Sequence, residues 1–252
     1  MLKWILPCLL TTTAFAKVVT EKVVYEKDGV KMEGLLAYDT KHKSAKPGIV
    51  IFPNWMGNGA YTEMRAKKLA GEGYVAFAAD VYGQGNNPKD VKGAMELSNK
   101  YKADRKLLRA RAQAALDTLA AHKKVDKTKV VAIGYCFGGT TALELARSGA
   151  DIRGVVSFHG GLSTDMKATE MKPKVLALHG GDDPYVPNKE VEEFQAEMRA
   201  AKADWQFVSY GNTVHSFTEK EAGDDNSKGA AYNALSDKRS WEAFEEFLEE
   251  TF

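Results

Sequence analysis

The residues Gly134-Tyr135-Cys136-Phe137-Gly138-Gly139 follow directly on the apolar run Val130-Val131-Ala132-Ile133. A thiol between glycines, where a buried strand meets a helix, is an arrangement that presents a nucleophile. The chain turns tightly, the apical side chain stands clear of the sheet, and Gly134 and Gly138 keep the turn free of Cβ clashes. The helix expected from about Gly138 to Arg147 points its positive end at the apex, and its first backbone N–H groups are free to hold an oxyanion. His215, beyond the apolar run Trp205 to Tyr210, can take the proton from a thiol and return it to a leaving group. A carboxylate on the far side of that imidazole would fix its tautomer and stabilise its charged form. Asp182 and Asp183, after Leu178-His179-Gly180-Gly181, compete for this role. Asp183 opens the run D-x-x-V-P (Asp183 to Pro187), where the chain turns into the next helix, and is the one we favour.

Strand-like and helix-like periods alternate along the chain, and they must place these residues. Val18 to Tyr25 and Val30 to Tyr38 read as a β-hairpin turning at Lys27-Asp28-Gly29. Gly48 to Pro53, Tyr74 to Ala79, Val130 to Ile133, Gly154 to Phe158, Lys174 to Leu178 and Trp205 to Tyr210 read as buried strands. Between them lie helical patterns at Thr62 to Gly71, Lys89 to Lys100, Ala103 to His122, the segment behind Cys136, and Asn188 to Ala201. An amphipathic helix, about Leu235 to Glu250, closes the chain. Repeated βα units call for an α/β fold: a mostly parallel, doubly wound sheet, with an N-terminal antiparallel hairpin and helices on both faces. Ligands in such sheets bind beyond the carboxyl ends of the strands. Asn54-Trp55, Cys136, Asp182-Asp183 and His215 all follow strands, in the order nucleophile, acid, histidine.

The sequence has 252 residues, 44% hydrophobic and 27% charged, with a net charge of +1. The length suits one large α/β domain, and the charge balance argues against nucleic acid or an acidic membrane surface as a partner. Met1-Leu2-Lys3, the apolar stretch Trp4 to Leu10 and Ala14-Phe15-Ala16 read as a cleavable export signal over residues 1–16, ahead of a single domain over 17–252. The apolar stretch is too short to span a bilayer. Cleavage removes Cys8 and leaves Cys136 as the sole cysteine, so an exported, periplasmic or secreted chain would have no internal disulfide. No spacing reads as a metal site and no cofactor motif is present.

With these residues in hand, the chain resembles the dienelactone hydrolase family of α/β-hydrolases. The resemblance rests on the run around Cys136, on Ala79-Asp80-Val81-Tyr82-Gly83, on Gly180-Gly181-Asp182-Asp183-Pro184-Tyr185-Val186-Pro187 and on His215-Ser216-Phe217. It implies a Cys136–His215–Asp183 triad acting on a small-molecule ester or lactone, and an oxyanion hole from the backbone N–H groups of Phe137 and Trp55. It also implies departures. Where the founding enzymes carry a glutamate that pairs with the thiol, this chain has Asn54. Where they carry two arginines that hold the substrate carboxylate, it has Gln84 and Glu219. Neither replaces a guanidinium, so the expected substrate is neutral rather than dienelactone itself. Asn54, Tyr82, Gln84 and His159 are expected at the pocket, beside Trp55. Two other readings compete: a small-molecule binding protein on a hydrolase scaffold, and a thiol sensor built on a lone oxidisable cysteine.

Overall fold

The structure is a computed structural model that describes residues 17–252; the export signal read at residues 1–16 lies outside the described residues. In chain order the strands are β1 (Val18–Lys27), β2 (Val30–Asp39), β3 (Lys46–Phe52), β4 (Val75–Ala78), β5 (Val125–Tyr135), β6 (Gly154–Phe158), β7 (Lys174–Gly180) and β8 (Trp205–Tyr210). The helices are α1 (Ala60–Gly71), α2 (Val91–Ala103), α3 (Arg105–Ala120), α4 (Phe137–Arg147), α5 (Asn188–Ala200) and α6 (Ala234–Thr251). The strands form one sheet in the order β1-β2-β4-β3-β5-β6-β7-β8. β1 pairs antiparallel with β2 and β2 antiparallel with β4, and every other pairing is parallel.

Period-two alternation sorts the apolar side chains to two cores. Val50 and Phe52 of β3 face α3 and α4, whereas Ile49 and Ile51 face α1 and α6. Trp241, Phe244, Phe247 and Leu248 bury one stripe of α6 against that second core, each such side chain contributing about 1.5–3 kcal/mol. β5 begins earlier than its apolar run suggests. Val125 and Asp126 pair with Lys46 and Pro47, and the register then jumps so that Val130 pairs with Gly48. The charged segment Lys127 to Lys129 is the looped-out part, and it hides the start of the strand.

The strand order reverses direction at β3. The chain runs from β3 through α1 to β4 on one side, then returns to place β5 on the other. Their carboxyl ends, Phe52 and Gly134, are paired neighbours. The loops after β3 and β5 therefore open onto one crevice at the switch point. Glycine makes the closeness possible. A Cβ on Gly138 would overlap the Phe52 carbonyl, and one on Gly134 would overlap the Gly138 carbonyl. The helix behind the turn, α4, is buried along its whole length, including Glu144 and Arg147. Arg147 donates to Glu197 at 3.0 and 2.8 Å and to Glu144 at 3.2 Å, so these buried charges are paired.

The contact between Gly138 and β3 gives a test. Gly138→Ala must push α4 away from Phe52, and overpacking of this kind costs about 1–3 kcal/mol or more. We expect a lower melting temperature and loss of activity together. An unchanged thermal melt would show that α4 does not press on β3 as described.

Candidate active site

Cys136 stands between β5 and α4 with φ 54° and ψ −118°, a conformation that L-residues rarely adopt. The sequence pattern demanded such a turn, and the structure supplies it. The thiol is half-buried, and its Sγ lies 3.0 Å from His215 Nε2. On the other side of the ring, His215 Nδ1 lies 2.7 Å from Asp183 Oδ2. The second Asp183 oxygen, Oδ1, accepts the Tyr185 N–H at 2.9 Å, which orients the carboxylate. Asp182 is exposed and turned outward, so Asp183 is the carboxylate that meets the imidazole. Three loops, after β5, β7 and β8, bring sulfur, imidazole and carboxylate into line.

The electrostatics follow from that line. Burial alone would push the His215 imidazole down. The negative charge of Cys136, the hydrogen bonds to Asp183 and Cys136, and the charge of Asp183 outweigh it and raise the ring to about 10. A ring raised in this way is a stronger base towards a neighbouring acidic proton. Its backbone is fixed as well: His215 N–H donates to Gly229 O at 3.2 Å, and Ala231 N–H to His215 O at 3.0 Å.

Phe137 and Trp55 line the same cavity as Cys136, and each carries a backbone N–H. Neither donates to an acceptor among the described residues. Phe137 is the first residue of α4, where an N–H has no intrahelical partner. Open donors at a cavity wall can receive the negative oxygen of a tetrahedral adduct.

The cavity has a volume of about 410 Å³. Trp55, Phe137, Met95 and Val186 give it apolar wall; Lys102, Arg105 and Glu190 add charges of both signs. The last three were not singled out by sequence. Lys102 and Arg105 sit at the junction of α2 and α3, and helical periodicity gave no sign which end of a helix reaches the site.

The residues expected at the pocket from sequence lie elsewhere, Trp55 excepted. Gln84 faces away: the positive φ of Gly83 (109°) redirects the chain, Gln84 N–H donates to Lys31 O at 2.8 Å, and its amide donates to Glu33. Tyr82 is buried behind the wall, stacked on Phe137, its hydroxyl donating to the Trp55 carbonyl at 3.0 Å. Asp80 shapes that loop by accepting the Tyr82 and Gly83 N–H groups at 2.8 and 3.0 Å. Asn54 bonds to Glu219 and to its own loop. His159 is fully buried beneath the turn, its φ of 41° directing the ring under Cys136. The Cys136 N–H donates to Phe158 O at 3.0 Å and to His159 Nδ1 at 3.1 Å. That contact assigns the His159 proton to Nε2, which lies 2.8 Å from Thr218 Oγ1. Thr218 in turn meets Tyr61 Oη at 2.7 Å. Burial, with His215 and Arg65 nearby, pushes His159 well below the usual histidine range and keeps it neutral. These residues brace the site from behind.

In comparison with known proteins, residues 32–252 match the dienelactone hydrolase family. The chain belongs to the dienelactone hydrolase family. It is an α/β-hydrolase of the carboxylic ester hydrolase class. Among solved structures it is similar to the dienelactone hydrolase-like promiscuous phosphotriesterase P91 from metagenomic libraries, at 40% identity and a TM-score of 0.89, covering 93% of this chain and 99% of that one. A Caenorhabditis elegans relative, "Uncharacterized protein K02A2.1", is 40% identical over 58% of this chain and 94% of its own. The "Probable 2-oxo-3-(5-oxofuran-2-ylidene)propanoate lactonase" of Bradyrhizobium is 30% identical over 69% of this chain and 74% of its own.

If Asp183 sets the tautomer of His215, a neutral amide in its place should turn the ring over. We expect Asp183→Asn to lower kcat on an activated ester on the order of 10³-fold, with little change in folding. A kcat within about threefold of wild type would remove Asp183 from the constellation.

Proposed function

We propose that the protein hydrolyses a small ester or lactone through a covalent thioester on Cys136, with His215 as acid–base and Asp183 as its orienting carboxylate. The observation that carries this reading is the alignment of Cys136 Sγ, His215 Nε2 and Asp183 Oδ2 through contacts of 3.0 and 2.7 Å. The open N–H groups of Phe137 and Trp55, two residues that line the cavity of the sulfur, support it.

The steps follow from the groups present. The thiol proton passes to His215 Nε2, and Sγ attacks the carbonyl carbon. The carbonyl π electrons move onto oxygen, and the Phe137 and Trp55 N–H groups receive that oxyanion. As the tetrahedral adduct collapses, the C–O bond to the leaving group breaks and His215 gives its proton to the departing alkoxide. A thioester remains. Water then attacks it, His215 takes the water proton, and as the second adduct collapses the C–S bond breaks, the acid leaves and His215 returns the proton to sulfur. For a lactone the leaving alkoxide is tethered to the acyl group, so the product is a single hydroxy acid.

The cavity limits the substrate to a small molecule. Neither Gln84 nor Glu219 supplies a guanidinium for a carboxylate, and Gln84 stands outside the cavity altogether. The cations at the cavity wall, Lys102 and Arg105, come from the α2–α3 junction and not from the positions of the founding enzymes' two arginines, and on that difference we infer a substrate other than dienelactone.

On p-nitrophenyl esters we expect Cys136→Ala and His215→Ala each to lower kcat on the order of 10³-fold or more, with the thermal melt preserved. Either variant retaining wild-type turnover would defeat the assignment.

A further inference from the structure

Glu219 is not a member of the triad, yet it is built into the wall that carries it. Its Oε2 accepts a hydrogen bond from Asn54 Nδ2 at 2.6 Å. Its Oε1 is shut off from solvent and has no hydrogen-bond partner among the described residues. Asn54 directs its other polar groups into its own loop: Oδ1 accepts the Met56 N–H at 2.9 Å, and the backbone carbonyl accepts the Gly57 N–H at 3.0 Å. Trp55, with its open N–H, lies inside this turn. The loop is also held where Tyr82 Oη donates to the Trp55 carbonyl. One carboxylate therefore ties the segment that carries His215 to the segment that carries an oxyanion donor.

We propose that Glu219 is a positioning residue for hydrolysis: as a carboxylate it clamps Asn54, and through Asn54 it holds the Trp55 N–H where the tetrahedral oxyanion forms. The proposal rests on the hydrolase reading above. An ionised acceptor makes a stronger hydrogen bond than a neutral one, so the clamp depends on the charge of Glu219. Tyr61 and Arg65 of α1, Tyr135 at the end of β5, and His215 and Glu221 of its own segment all face this carboxyl. Burial pushes it up to about 7; the Asn54 hydrogen bond and the charges of His215 and Arg65 hold it down, while Glu221 adds to the rise. A raised carboxyl is neutral below that pH and charged above it. The clamp therefore tightens as pH rises through neutrality, and kcat rises with it.

The test compares wild type, Glu219→Leu, Glu219→Gln, Asn54→Ala and the double variant Glu219→Leu/Asn54→Ala on one p-nitrophenyl ester. Loss of positioning at one of two oxyanion donors should lower kcat about 10-fold in Glu219→Leu, less than outright removal of such a donor. KM should stay within about twofold, because the clamp acts on the transition state. Asn54→Ala should lose as much, and the double variant no more than either single, because the two residues act as one unit. In Glu219→Gln the rise of kcat between pH 6 and 8 should vanish. Wild-type kcat in Glu219→Leu, or losses that multiply in the double variant, would overturn the proposal. Where Glu219→Leu fails to fold, the pH profile decides: a wild type without the rise, or Glu219→Gln that keeps it, would overturn it. Cys136→Ala, run alongside, separates the two levels. Turnover that survives Cys136→Ala defeats the hydrolase reading itself, whereas Cys136-dependent turnover indifferent to Glu219 defeats only this inference.

Discussion

The turn at Cys136 is the constraint on which everything else depends. A non-glycine residue with φ 54° is strained, by about 1–3 kcal/mol in such regions, and persists only where its surroundings over-determine it. Here they do. Gly138 lies against the carbonyl of Phe52 and Gly134 against that of Gly138, so β3, β5 and α4 meet with no room for a side chain. The Cys136 N–H is held from below by Phe158 O and His159 Nδ1. With its backbone fixed, the sulfur can only point out of the sheet, towards His215.

Around that point the structure is layered. The sulfur meets one imidazole, and Phe137 and Trp55 line its cavity. Behind each stands a second group that fixes it. Asp183 orients His215, and Tyr185 N–H orients Asp183. Tyr82 holds the Trp55 carbonyl, and Asp80 holds the loop of Tyr82. His159 reaches through Thr218 and Tyr61 towards Arg65, which is paired with Asp237 of α6. Rigid support of this kind keeps the donors aligned without reorganisation during reaction, the condition under which electrostatic stabilisation acts fully.

The meeting of Cys136, His215 and Asp183 and the order of the sheet were legible in the sequence for one shared reason. Topology confines chemistry to the residues just after the strands, so Cys136, Asp183 and His215 could be picked by type and place. The choice between Asp182 and Asp183 turned on the D-x-x-V-P run, and the exposed side chain of Asp182 shows why it stands aside. The pocket was much less legible. His159 and Gln84 also follow strands, but a positive φ at His159 itself and at Gly83 turns each away from the cavity. Single-residue backbone angles of that sort leave little trace in composition or period. Lys102 and Arg105 reach the cavity from the α2–α3 junction, far from any strand end. The partnership of Glu219 with Asn54 was hidden too, because each was read separately against an expected charge, whereas their meaning lies in the bond between them.

In the proposed reaction the Cys136 sulfur carries the acyl group during turnover. Intact-mass spectrometry of the enzyme quenched within a few turnovers of an activated ester tests it most directly. We expect a transient mass increase of one acyl group less one hydrogen, mapped to the peptide containing Cys136, that decays at least as fast as product accumulates. Steady turnover with no adduct on Cys136, or an acyl adduct that outlasts the catalytic cycle, would contradict it.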